Sequence, residues 1–157
     1  MGTKKEKMPS KLAKKYSEDF FGVFVGFSQL EMQMNLILNE FFIKSRVKGL
    51  MRREFWEYSS LFQEKLHLVG TVAEHLEIEF SKKKLKKCAE LRNEFAHTYF
   101  LVSYEEEKLH MKNGNKRDDV DSMINLFNKY LSESCNELDK ISTRLGLKTF
   151  KEIFSHE

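Results

Sequence analysis

A single proline, Pro9, constrains this chain more than any other feature, because residues 10–157 then run without the strongest helix breaker. Over that region apolar residues recur every three or four positions, the spacing of one face of an α-helix. Turn-rich all-β folds need frequent proline and glycine, and the 157 residues include only seven glycines. The sequence therefore predicts a fold made of long helices.

Four segments carry this helical period, and each should bury one face in a shared core. The first apolar stripe runs over residues 20–41 and the second over 55–76. The third helix begins near Ser81, a suitable N-cap, and its stripe covers 85–95. The fourth covers residues 120–145.

The period changes to two between the third and fourth stripes, where residues 100–104 and 109–111 alternate before Asn113-Gly114. Alternation of this kind indicates a short β-hairpin. Asp118, Asp119 and Asp121 then suit the positive end of the fourth helix dipole. The predicted fold is all-α: an up-and-down helical bundle of four long helices, with a short β-hairpin inserted between helices three and four. A closing segment near residues 150–154 should pack back on the bundle.

Positive charge is concentrated in two places, although the net charge of the whole chain is only +3. Residues 1–15 hold six lysines and no apolar periodicity, which predicts a flexible basic tail before a single helical domain over 16–157. A second block lies at the start of helix three, where positive charge opposes the helix dipole. A phosphate backbone would compensate it, and a solvated surface is the alternative. The block consists of Lys82, Lys83, Lys84, Lys86 and Lys87.

Several classes of protein and site are disfavoured. No apolar run approaches the roughly 18–20 residues of a membrane span, so we expect a soluble, cytoplasmic protein without a membrane span. Cys88 and Cys135 lie within helical patterns and are predicted to be buried, reduced thiols. No CxxC, HExxH or paired Cys/His spacing occurs, so neither a metal nor a cofactor is predicted.

Glu31 interrupts the apolar stripe of the first helix. A buried carboxylate without a partner is costly. The side chain should therefore pair with a cation, lie at an end of the bundle or face a partner chain. Alternatively, it reaches water at the edge of the stripe.

The end of helix three carries the polar sequence Arg92-Asn93-Glu94-Phe95-Ala96-His97. At about 100° per residue, Asn93 and His97 lie about 40° apart on one side, whereas Arg92 and His97 lie about 140° apart. Each residue has a structural interpretation: Arg92 as an ion-pair partner, Asn93 as a buried hydrogen-bonding group and His97 as a C-terminal cap.

The segment Arg-Asn-x-x-Ala-His, with Tyr99 two residues after His97, resembles the Arg-x4-His-x-Tyr signature of the HEPN superfamily. In that family the motif closes the third helix of an all-helical bundle, and the resemblance spans roughly residues 17–146. It implies a metal-independent endoribonuclease of toxin or defence type, acting as a homodimer in which the two motifs face each other.

The resemblance also assigns roles. Attack by a ribose 2′-hydroxyl on the adjacent phosphate needs a base, which would be His97, since histidine exchanges protons readily near neutral pH. Arg92 would stabilise the charged phosphorane, and Asn93 would orient His97 or bind a phosphate oxygen. Tyr99 corresponds to the adenylylation target of HEPN toxins paired with nucleotidyltransferase antitoxins. The implied partners are a second copy, RNA and a cognate antitoxin or regulatory protein.

Two alternatives remain open. Residues 90–97 also resemble the Arg-Asn-x-Phe-Ala-His stretch of the mannitol operon repressor (MltR) family. The chain would then be a non-catalytic regulatory or protein-interaction module, in which Arg92, Asn93 and His97 form a structural network, with Glu31 as a supporting carboxylate. In the second alternative, the basic tail makes the chain an adaptor for membrane surfaces or nucleic acid.

Overall fold

The computed structural model describes residues 9–44, 61–113 and 116–155. This part of the chain forms five α-helices and a three-stranded antiparallel sheet. In chain order the elements are α1 (Ser10–Lys44), α2 (Phe62–His75), α3 (Lys83–His97), β1 (Tyr99–Ser103), β2 (Lys108–Asn113), β3 (Lys116–Asp119), α4 (Val120–Arg144) and α5 (Phe150–Phe154).

The predicted helical class is confirmed, but of the four predicted long helices only two are long within the described residues. α1 and α4 have 35 and 25 residues, whereas α2 and α3 have 14 and 15. The first part of the predicted second stripe, from residue 55 to 60, lies outside the described residues. The closing segment is the short helix α5, whose N-cap Thr149 exchanges hydrogen bonds with Glu152.

The predicted hairpin is present as β1 and β2, which pair antiparallel, and β3 extends it to a sheet of three strands in the order β1-β2-β3. Asp118 and Asp119, expected in the first turn of the fourth helix, belong to β3, and α4 begins at Val120. Asp119 caps α4, since its side chain accepts hydrogen bonds from the Asp121 N–H at 3.2 Å and the Ser122 hydroxyl at 3.1 Å. β3 lacks apolar alternation and exists because it pairs with β2.

The predicted boundary of the basic tail at residue 15 is also wrong, because α1 begins at Ser10. Residues 1–8 lie outside the described part. A polar and an apolar contact hold the first turns of α1. Lys15 Nζ donates a hydrogen bond to Asp121 Oδ1 at 2.7 Å, and Leu12 packs at the margin of the core. The contact with Asp121 raises the pKa of Lys15.

The core lies where α1 packs against α2, α3 and α4. A Cβ on Gly26 of α1 would lie 2.7 Å from Leu131 Cδ2, so the two longest helices approach closely there. The sheet turns Leu109 and Met111 inward, and the Phe100 ring lies 4.9 Å from that of Phe20. The sheet is therefore attached to the bundle beside the start of α1.

The buried Tyr16 ties three elements together. Its hydroxyl accepts a hydrogen bond from the Leu109 N–H at 3.0 Å and donates to Asp121 Oδ2 at 3.1 Å. Burial is the main cause of the raised pKa of Tyr16. None of the helices in the described part combines the length and apolar character needed to cross a membrane.

Candidate functional site

The helix α3 positions the motif residues, and it continues unbroken to His97 before Thr98 turns the chain into β1. Asn93 and His97 are both exposed, which agrees with the predicted separation of about 40° that puts them on one side of the helix. One side of α3, called here the outward side, is exposed along its whole length. It consists of Lys83, Lys86, Glu90, Asn93 and His97.

Arg92 points away from this side. Its guanidinium carbon lies 4.4 Å from the centroid of the Phe27 ring on α1, a cation–π contact. Its Nε is buried without a hydrogen-bond partner, and within residues 9–44, 61–113 and 116–155 no carboxylate pairs with it. Within one copy of the chain, the side chains of Arg92 and His97 therefore point in directions about 140° apart around α3.

Two of the structural interpretations are consequently wrong. Arg92 forms no ion pair in the described part of the chain, and Asn93 is exposed rather than buried. The C-terminal cap of α3 is a backbone hydrogen bond from the Thr98 N–H to the Glu94 carbonyl.

Glu31 pairs with Lys65 of α2, at 3.9 Å between Oε1 and Nζ, and its side chain stays 31% exposed. Of the alternatives for Glu31, two describe it: it has a cation partner, and it reaches water. No hydrogen bond or ion pair among the described residues links it to Asn93 or His97, so the predicted network is wrong in this form. Lys65 is 5% exposed and was not predicted, although it lies in the same stripe as Phe62 and Val69.

The five lysines at the start of α3 point in different directions. Lys84 Nζ lies 2.7 Å from Glu133 Oε2 and 4.8 Å from the Tyr130 ring centroid, and the hydrogen bond raises the pKa of Lys84 and lowers that of Glu133. Lys87 lies 5.3 Å from the same ring. Contacts with α4 therefore engage the positive charges of Lys84 and Lys87, which were predicted from the sequence to bind nucleic acid.

Lys82 is held by a neighbouring helix. Its side chain crosses Gly70 of α2 so closely that a Cβ on Gly70 would collide with the end of that side chain. Of the predicted nucleic-acid contacts, Lys83 and Lys86 are the two that are exposed, both on the outward side of α3.

The remaining predicted residues are Tyr99 and the two cysteines. Tyr99 begins β1, and its side chain lies outside the described part of the structure. Cys88 and Cys135 are buried free thiols, as predicted. Burial raises the pKa of Cys88 to about 11 and that of Cys135 to about 12, and Cys88 Sγ lies 3.6 Å from Ser134 Oγ.

The described residues contain no group of three or more His, Cys, Asp or Glu side chains arranged to hold a metal ion. Near the end of α3 the exposed group suited to proton transfer is the imidazole of His97, with Asn93 one turn before it. Comparisons of the chain with protein-family models, with curated proteins and with solved structures found no match.

Proposed function

We propose that this chain is a metal-independent endoribonuclease of the HEPN type, of the toxin or defence kind, working as a homodimer on RNA. The observation that supports it is the exposure of His97 and Asn93 on the same side of α3 as two exposed lysines, Lys83 and Lys86. A proton-transfer group beside positive charge suits an RNA backbone.

In the proposed reaction the ribose 2′-oxygen attacks the adjacent phosphorus while His97 takes the hydroxyl proton. The bond from phosphorus to the 5′-oxygen breaks, leaving a 2′,3′-cyclic phosphate, and the histidine returns the proton to the departing oxygen. Asn93, one turn before His97, would orient the imidazole or bind a phosphate oxygen.

Arg92 is the group suited to the charged phosphorane, because a guanidinium binds phosphate oxygens through paired N–H donors. Its charge has no carboxylate partner in the described part of the chain, and the side chain keeps partial exposure. Since Arg92 and His97 diverge within one chain, the proposed site combines His97 of one copy with Arg92 of the second.

A homodimer needs an apolar contact surface, and α1 offers one. Phe21 is 70% exposed, and Phe24 and Met32 are exposed on the same side of α1. Exposed apolar surface of this extent marks interaction sites. We therefore place the second copy on this strip, a groove of 280 Å³ lined by Phe21, Phe24, Val25, Ser28, Gln29 and Met32.

The test compares cleavage of a fluorescent single-stranded RNA by the native chain, His97→Ala and a matched control, His67→Ala. His67 is also exposed, but on α2. We expect His97→Ala to cleave at least about 100-fold more slowly, because general acid–base catalysis contributes about 10²–10⁴-fold. The control should keep native activity, and both variants should keep the native melting temperature.

A second arm tests the dimer with Phe21→Glu, which should sediment as a monomer and lose cleavage. Equal activity of His97→Ala and the native chain in purified form would refute the proposal. Activity that persists in a Phe21→Glu monomer would refute the shared site while leaving the nuclease intact.

A second candidate function is a non-catalytic regulatory or protein-interaction module of the mannitol operon repressor kind. The packing of Arg92 on Phe27 favours it, since that contact joins α3 to α1. In that case the native chain would cleave no RNA, and the main effect of replacing Arg92 would be on stability. Adenylylation of Tyr99 by an antitoxin stays a prediction.

A further inference from the structure

The sheet has an exposed face that the sequence did not predict as a site. Leu109 and Met111 of β2 are buried against the core, so the alternating residues of that strand point to the opposite face. Lys112 of β2 is exposed there, and the register places the exposed Arg117 of β3 directly across from it.

The topology brings this pair to the end of the sheet that adjoins His97. Lys112 pairs with Tyr99 on one side and with Arg117 on the other, so one row crosses all three strands. Neighbouring strands lie about 4.8 Å apart, which puts the β3 backbone about 10 Å from that of β1. Tyr99 follows His97 by two residues, whereas the acidic turn at residues 105–107 joins the opposite ends of β1 and β2, from which Glu106 reaches back to His110.

The pair is also electrostatically unfavourable. Like charges directly opposite each other in an antiparallel pair destabilise a sheet. The other cations of this face have partners: Lys108 lies 3.9 Å from Asp119, and His110 lies 2.8 Å from Glu106. Neither Lys112 nor Arg117 forms an ion pair within the described residues. Glu106, whose pKa is lowered mainly by its hydrogen bond with His110 and further by the charge of Arg117, is already engaged by His110.

We propose that Lys112 and Arg117 bind the phosphate backbone of single-stranded RNA beside His97, continuing a path from Lys83 and Lys86 along α3. The inference rests on the proposed function for RNA as the ligand. Two exposed cations facing each other would be relieved by a polyanion, and phosphate contacts supply most of the affinity of non-specific RNA binding. Among the described side chains of the strands on this face, Leu101 alone is both apolar and exposed, which is too little apolar surface for membrane insertion.

The test measures binding of a labelled single-stranded RNA by fluorescence anisotropy, with His97→Ala as background so that nothing is cleaved. Lys112→Glu should raise Kd by about tenfold and lessen its salt dependence, because one cationic contact becomes a repulsive one. The same change places a carboxylate opposite Arg117, so the melting temperature should stay the same or rise. Weaker binding by a chain of equal or greater stability cannot come from misfolding.

Lys129→Glu is the matched control, because Lys129 is an exposed lysine on α4 and the change in net charge is identical. It should weaken RNA binding by about twofold or less. Equal losses in both variants would overturn the inference in favour of a general charge effect. Absence of RNA binding by the His97→Ala background would also overturn it, as would binding to phosphatidylserine vesicles alone.

The two proposals fail separately. If the native chain cleaves RNA but Lys112→Glu binds it normally, the inference is overturned and the proposed function stands. If the native chain cleaves nothing but Lys112→Glu loses RNA binding relative to Lys129→Glu, the inference stands and the nuclease is refuted.

Discussion

The inward and outward sides of α3 differ in nearly every physical respect. On the inward side Leu85, Cys88 and Phe95 are buried, and Arg92 stacks on Phe27. The outward side carries His97 and the other exposed residues named above. One motif of six residues, Arg92 to His97, is thus divided between packing and solvent. Adjacency in a sequence motif does not mean adjacency in a site.

The lysine block shows the same division. Glu133 and Tyr130 of α4 engage Lys84, whereas Lys83 and Lys86 are exposed. Charge density along a sequence therefore overstates the charge available to a partner. Four experiments test how far the two sides of α3 differ.

The largest expected effect concerns thiol reactivity. Thiolate is the reactive form, and a Cys88 pKa of about 11 leaves about 0.1% thiolate at pH 8, against about a quarter for an ordinary cysteine. An Asn93→Cys variant, with its thiol on the outward side, should react with a disulfide reagent at least about 100-fold faster than Cys88 and Cys135. Comparable rates for the inward and outward thiols would contradict the burial of the inward side.

Next in size is the effect of Arg92 on stability. Arg92→Ala removes the contact with Phe27 and should lower the free energy of unfolding by about 1–2 kcal/mol, or the melting temperature by about 2–8 °C. Asn93→Ala should leave the melting temperature within about 1 °C, because Asn93 is exposed. Calorimetry of the two variants measures the difference directly.

The Arg92→Met variant separates the packing of residue 92 on Phe27 from its proposed part in RNA cleavage. Methionine keeps an apolar contact with the Phe27 ring and has no buried donor to satisfy. A stable Arg92→Met protein that no longer cleaves RNA would support the nuclease. Native cleavage by this variant would remove Arg92 from the proposed mechanism.

The smallest expected effect is a difference in RNA binding between two pairs of lysines on α3. In the His97→Ala background, Lys83→Gln with Lys86→Gln should weaken RNA binding by about fivefold, since both lysines are exposed. Lys84→Gln with Lys87→Gln should weaken it less, because α4 already engages these two side chains. The reverse order would show that the contacts with Glu133 and Tyr130 open for RNA.

Much of the local structure could be predicted from the sequence. Periodicity of three and four predicted the helical class, and about 100° per residue put Asn93 and His97 on one side. The burial of both cysteines followed from their places in helical patterns. These predictions succeeded because each depends on spacing within one segment.

Features that depend on a pairing partner were missed. β3 reads Lys-Arg-Asp-Asp and has no strand pattern of its own, so its pairing with the neighbouring strand β2 defines it. The first turns of α1 lie within the predicted tail, and there Lys15 contacts Asp121, more than a hundred positions away. Lys65 is buried and has Glu31 of another helix as its partner, which its own segment does not reveal.

The sequence by itself determined which faces of the helices are apolar, because the rise and turn of a helix convert residue spacing directly into direction. Only the tertiary structure decided what each polar side chain meets: Phe27 beneath Arg92, Glu133 beside Lys84, and Arg117 opposite Lys112. Those partners lie on other elements, and contacts between elements are set when the core packs and the strands pair.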